Sequence, residues 1–482
     1  MACVTTRRKA EMTITPATAL WRMGATELAE VISSRQASSR EVIESHLGRI
    51  EDVNATINAV TVVLDQRALE AAAAADRSVV ANHELPPLHG VPFTVKENID
   101  LVGTPTTIGL TALAGAYPRV DAPVVERLRA AGAIPIGRTN CPALAVRWHT
   151  DNELHGATVN PWDRSRTPGA SSGGEAAAIA TGMSPLGLGN DGLGSLRWPA
   201  QCCGVVALKP TLGRIPHATS EPAHEPIGLQ LAVVEGPMAR RIDDLRTALE
   251  VLAGPTWRDP WSVPAPPRGP APTGPVRVAV VVDPGGHGTA AQVRDGVRTA
   301  ADTLAAAGYT LDDIEPPSID LAARTLLAML STPEIRAGQD ALLAPTPADT
   351  RRFMSAFSEV AGPPGPVASV VSFITRHELL CAWGEFQQTH PLIVAPIFTD
   401  IPFAAGSDLD DGAVAATIHG MRMALAVNAL GLPAVAVPVG VRDGLPQVVQ
   451  IIGPRHREDL CLDAATAIEE RLGTITPIDP RP

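Results

Sequence analysis

The chain is short of the residues that announce several large classes of protein. Its six cysteines (Cys3, Cys141, Cys202, Cys203, Cys381 and Cys461) form no CxxC and keep no Cys/His spacing of the kind zinc requires, which excludes a structural zinc site and suits reduced thiols in a cytoplasm. No basic run is longer than Arg7-Arg8-Lys9, and 39 Lys and Arg stand against 51 Asp and Glu. An acidic surface of this kind does not capture nucleic acid. The first residues hold no continuous apolar stretch to act as a secretory signal. The longest uncharged run, MALAVNALGLPAVAVPVGV between Arg422 and Arg442, is broken by Asn428, Gly431, Pro433 and Pro438, so it reads as a buried helix end followed by a buried strand rather than a membrane span. The expected setting is therefore cytoplasmic, with neither a membrane nor a nucleic acid as partner.

One more absence bears on chemistry. The stretch TPGASSGGEAAAIATGMSPLGLGNDGLGSLRWP, from Thr167 to Pro199, carries four serines and eight glycines but no histidine. Two familiar patterns lie inside it. Gly187-Leu-Gly189-Asn-Asp-Gly192 is formally a G-x-G-x-x-G, but Pro199 blocks the long helix such a loop should open, and no acid stands near residues 207–214. Gly169-Ala-Ser171-Ser-Gly173 is formally a nucleophile elbow, but the preceding NPWDRSRTP is no strand. A serine without a histidine needs another base, and a lysine serves once burial leaves it neutral near pH 7. Lys96 ends the alternating run Val91-Pro-Phe93-Thr94-Val95-Lys96, which predicts a strand; by composition alone it reads more readily as a solvated lysine paired with Glu97 than as a buried base.

Elsewhere the pattern is that of a layered α/β protein. Residues 27–76 read as helical scaffold, with Ser38 to Glu41 as a capping box. VVERLRAAGAIPIGRTN reads as helix, glycine turn and strand. Gly254–Pro275 holds eight prolines in 22 residues and cannot be regular structure. VRVAVVVD at 276–283 resumes as a buried strand, a helix follows from about Ala290 to Gly308, and FITRHELLCAWGEFQQTH and LIVAPIF read as helix and strand.

The segments GVPFTVKENID, NPWDRSRTPGASSGGEAAAIATG and PLGLGNDGLGSLRWPAQCCGVVALKPTLGRIP, with NALGLPAVAVPVG and QVVQIIGP further on, closely resemble the amidase signature family. The resemblance covers most of 20–255 and 390–475. It implies a single large α/β/α domain over 21–482, after an N-terminal extension of residues 1–20, with a variable proline-rich middle at 256–389. Its sheet should be twisted and mixed, with about 10 or 11 strands.

The same resemblance implies a Ser-cisSer-Lys triad. Ser195 is the nucleophile, Ser171 follows a non-prolyl cis peptide and relays the proton, and Lys96 is the final base. Backbone N–H groups of Gly192, Leu193, Gly194 and Ser195 form the oxyanion hole. Ser172, Gly173, Gly174, Asp191 and Arg197 support these loops. Neither metal nor organic cofactor is implied. The expected activity is cleavage of C–N bonds in small or medium amides through an acyl-enzyme on Ser195. Aryl carbamates join the substrate range, because VRWHTDNELHGATVNPWD resembles bacterial amidases that include urethane-cleaving members. The alternatives are the amidase subunit of a tRNA-dependent amidotransferase and a catalytically silent binding protein; a homodimer is a candidate assembly. Two departures from the family pattern stand out: Leu193 replaces the first of a pair of glycines before the nucleophile, and Ala170 replaces the glycine before Ser171.

Overall fold

A computed structural model describes residues 19–81, 84–218, 225–332, 335, 346–362 and 365–481. The expected N-terminal extension lies almost wholly outside the described residues. The strands are β1 Val60–Val63, β2 Pro92–Lys96, β3 Ile134–Thr139, β4 Leu186–Asp191, β5 Val206–Lys209, β6 Val234–Ala239, β7 Arg277–Val280, β8 Thr310–Asp312, β9 Leu392–Ala395, β10 Ala434–Arg442 and β11 Leu445–Ile452. They form one 11-stranded sheet in the order β1-β3-β2-β4-β6-β5-β10-β11-β9-β7-β8. Parallel pairs (β2 with β3 and β4, β7 with β8 and β9) flank an antiparallel centre running from β4 to β9. The sheet is mixed, as the resemblance implied.

The period-two pattern of the strands sorts their side chains into two apolar layers. Phe93 and Val95, Leu186 and Leu188, Val278 and Val280, Val435 and Val437, and Ile451 face one layer, which helix Ile242–Leu252 and helix Glu458–Leu472 cover. Ile134 and Ile136, Ala279, Ala434 and Ala436, and Ile452 face the other, with the buried helices Gly173–Ala180 and Arg422–Leu430. Alternation places Thr94 and Lys96 on this second face, opposite Phe93 and Val95.

Most local expectations match. Ser38 caps helix Ser39–Ile57, its hydroxyl accepting from the Glu41 N–H at 3.1 Å while the Glu41 carboxylate accepts from the Ser38 N–H at 2.8 Å. The uncharged run ends helix Arg422–Leu430 at Gly431 and enters β10. No single helix among the described residues is long and apolar enough to cross a membrane. One element differs: residues 27–76 are not purely helical, because Val60-Thr-Val-Val forms β1 along the edge of β3. Asn58, in the left-handed region, ends the preceding helix, and β-branched residues favour the strand that follows. The proline-rich run contributes neither helix nor sheet strand, yet the stretch after it supplies β7 and β8 to the common sheet.

Candidate active site

The site is assembled at the C-terminal ends of the parallel strands β2 and β4. Lys96 closes β2, fully buried, and its ammonium donates to Ser171 Oγ and Asn190 Oδ1, each at 2.7 Å. Glu97 turns away from it; its carboxylate accepts from Thr61 and Thr107 and lies beside His155. The solvated Lys96–Glu97 pair that composition alone would allow is therefore not formed. Burial is the main influence on Lys96 and brings its pKa down to about 8, while Cys141, Glu235, Asp191 and Glu175 act in the opposite direction. A buried lysine in this range is partly neutral near physiological pH.

Ser171 follows a cis Ala170–Ser171 peptide and is buried. Ser172 stands at the cap position of helix Gly173–Ala180, and its N–H donates to the Ser195 carbonyl at 3.2 Å, which joins the two serine loops. The helix packs over β2 and β4. Its Glu175, also fully buried, accepts from Thr94 and Thr139; burial raises it to about 7 against these hydroxyls and Lys96. Gly187 and Gly189 make this approach possible: a Cβ on Gly187 would overlap the Glu175 carboxylate, and one on Gly189 would come within 2.7 Å of Ser172 Oγ. The first two glycines of the formal G-x-G-x-x-G thus lie in a strand, where they admit a helix. Gly173 and Gly174 do the same where Thr150 and Asn140 pass.

Ser195 follows β4 in the turn Gly192–Gly194 and keeps a small exposed area of 8%. Asp191 organises this turn. Its carboxylate accepts from the N–H groups of Gly194 at 2.8 Å and Leu196 at 3.2 Å, and from Arg197 Nε and an Arg197 amino group at 3.0 and 3.1 Å. Burial alone would raise the Asp191 carboxyl, but the adjoining Arg197 guanidinium holds it well below the usual carboxylate range. Arg197 reaches on to Gln450 at 2.8 Å and Asn428 at 2.5 Å, so β4, β11 and helix Arg422–Leu430 are fastened at one point. Gly194, expected among the oxyanion donors, has its N–H occupied by Asp191. Among the described residues, the N–H groups of Gly192, Leu193 and Ser195 carry no such bond.

Leu193 lies outside the left-handed region; Gly194 beside it takes that conformation, at φ 90°. The leucine is half-buried against the second apolar layer, and the Trp148 indole N–H donates to its carbonyl at 3.4 Å. Trp148 in turn meets Phe353 edge-on at 5.3 Å and Phe357 at 6.5 Å. This aromatic wall escaped the sequence reading. Trp148 lies in a loop, and the phenylalanines lie in helix Ala348–Ala361 of the variable middle, so no local pattern connects them.

The amidase family model matches residues 41–363. The chain is 40% identical over 95% of its length to an indoleacetamide hydrolase of Bradyrhizobium diazoefficiens, covering 88% of that protein. It is 32% identical over 95% of its length to a glutamyl-tRNA(Gln) amidotransferase component of Salinispora arenicola, covering 99% of that component. The solved structure of a 6-aminohexanoate cyclic dimer hydrolase complexed with substrate superposes with a TM-score of 0.81 at 28% identity, covering 96% of this chain and 99% of that one. With the motifs, the sheet and these full-length matches in agreement, the chain belongs to the amidase signature family and is a hydrolase acting on the C–N bonds of amides.

Proposed function

We propose that the chain hydrolyses the primary amide of an arylacetic acid through an acyl-enzyme on Ser195. The observation that carries the mechanism is the 2.7 Å contact between the buried Lys96 ammonium and Ser171 Oγ, with Ser171's loop tied to Ser195 through the Ser172 N–H. Neutral Lys96 takes a proton from Ser171, which takes one from Ser195 as its Oγ attacks the amide carbonyl. The oxyanion of the tetrahedral intermediate falls to the N–H groups of Gly192, Leu193 and Ser195, since Gly194 is engaged by Asp191. Collapse of the intermediate breaks the C–N bond. Ammonia leaves with the proton returned through Ser171, and water then hydrolyses the ester by the same relay.

The substrate class rests on the similarity to the indoleacetamide hydrolase and on the aromatic wall of Trp148, Phe353 and Phe357 beside Leu193. A flat ring against such a wall gains about 0.5–1.5 kcal/mol beyond its area burial. The amidotransferase reading keeps one specific support, the match over almost the whole length of the Salinispora amidotransferase component. A kinetic panel of an arylacetamide, an alkyl primary amide, an anilide, an aryl carbamate and glutamine decides among these. The arylacetamide is expected to have the highest kcat/KM, rising with pH through a midpoint near 8 as Lys96 loses its proton. Preference for the carbamate would make the enzyme a urethanase. Turnover of glutamine alone, increased by copurifying partner proteins, would make it an amidotransferase component.

A further inference from the structure

Across the sheet from Asn190, in and beside β6, lies a charged cluster that the relay does not use. Glu235, in β6, is the direct cross-strand partner of Asn190 in β4, and Asn190 Oδ1 is the second acceptor of the Lys96 ammonium. Residues so paired in an antiparallel ladder have Cα atoms about 4.5–5.5 Å apart. Glu235 is 5% exposed. One carboxylate oxygen takes a hydrogen bond from His217 Nδ1 at 2.8 Å; the other is buried and has no hydrogen-bond partner among the described residues. His217 also meets Glu225 through Nε2 at 3.2 Å, and its backbone N–H donates to Asp259 at 3.0 Å.

A buried carboxylate with one oxygen unsatisfied is costly unless its charge is used nearby. The nearby charge is Lys96. The charges that favour its protonated form are those of Cys141 from the turn after β3, Glu235 from β6, Asp191 from β4 and Glu175 from helix Gly173–Ala180. Asp191 is neutralised by Arg197, and Glu175 accepts from two threonines. Among the described residues, Glu235 is compensated by His217 alone. Burial opposes charge on that imidazole, but the two glutamates outweigh it and push it up to about 10, so it is a cation across the working range.

We infer that Glu235 is a positioning residue for Lys96: paired across the sheet with Asn190 and held by His217, it sets the net charge that the lysine faces and so the pH range in which the relay runs. The inference rests on Lys96 being the relay base. It makes opposite demands of two neighbouring residues. Removing the anion in Glu235→Gln favours neutral Lys96, and the acid limb of kcat/KM moves to lower pH. Removing the cation in His217→Gln leaves Glu235 unbalanced, favours protonated Lys96, and moves the limb to higher pH.

The test is the pH dependence of arylacetamide hydrolysis and of fluorophosphonate inactivation for the wild type, Glu235→Gln, His217→Gln and Lys96→Ala. Midpoints displaced by about half a unit or more in opposite directions support the inference; each full unit is about 1.4 kcal/mol between the two protonation states. Should Glu235→Gln fail to fold, the upward displacement in His217→Gln decides. Unchanged midpoints, or displacements in the same direction, overturn the inference, even if both variants lose rate. An inactive Lys96→Ala alongside unchanged midpoints removes the role of Glu235 alone. A Lys96→Ala variant of wild-type rate removes the relay and the inference with it.

Discussion

Leu193 is the residue at which this chain departs most from the pattern it resembles, and its conformation limits what the departure can do. A leucine forced to positive φ would strain the turn and misalign an N–H donor. Gly194 takes that conformation instead, and Leu193, within the same turn, is half-buried against the apolar layer that holds Trp148, whose indole N–H donates to its carbonyl. Leu193→Gly should therefore leave the Lys96–Ser171 contact intact and open space at the aromatic wall. The expected outcome is a gain in kcat/KM for bulky amides with little change for small ones, partly offset by about 0.5–1 kcal/mol of added loop entropy. Kinetics across a size series check it. An equal rise in kcat for small and large substrates would mean that the leucine strains the turn after all.

At the scale of elements, the site depends on one helix lying close over two strands and on one ion pair holding the turn. β4 sits between β2 and β6, so its backbone cannot move away from helix Gly173–Ala180. Gly187→Ala would drive a methyl group into the Glu175 carboxylate. It should cost about 1–3 kcal/mol, as overpacking does, and lower activity by displacing Ser171 and Ser172 at the head of the same helix. Denaturant unfolding and kcat measured together check it. Arg197→Leu tests the other support. It strands Asp191 as an unpaired buried anion and should cost about 3–5 kcal/mol, whereas a surface pair of similar geometry is worth about 0–1 kcal/mol. Thermal melts at pH 7 read that loss.

For the whole molecule, the legible parts of the sequence were those in which one residue reports on its immediate neighbours. Alternation in Val91 to Lys96 located β2 and placed its last side chain, and the capping pattern at Ser38 to Glu41 located a helix start. The serine loops and Lys96 were named from motifs, and the fold brings Lys96 against Ser171 although 75 positions separate them. What stayed hidden depends on pairing over long distances. β1 is too short to stand out between two helices. Glu235 reads as an ordinary acid until β6 is laid beside β4. The aromatic wall joins residues 148 and 353 across the proline-rich middle, where no spacing rule operates. Gly194, equivalent to its neighbours in sequence, is distinguished by the carboxylate of Asp191.

The central claim is that Ser195 becomes the acyl carrier with Lys96 as the base that activates it. The most direct test is fluorophosphonate labelling, with intact mass and peptide mapping, of the wild type, Ser195→Ala, Ser171→Ala and Lys96→Ala at pH 8. A single adduct on Ser195 is expected in the wild type, none in Ser195→Ala, and labelling slowed by about 10²-fold or more when either Ser171 or Lys96 is removed, as loss of a general base requires. An adduct mapped to Ser171, or Lys96→Ala labelled at the wild-type rate, would contradict it.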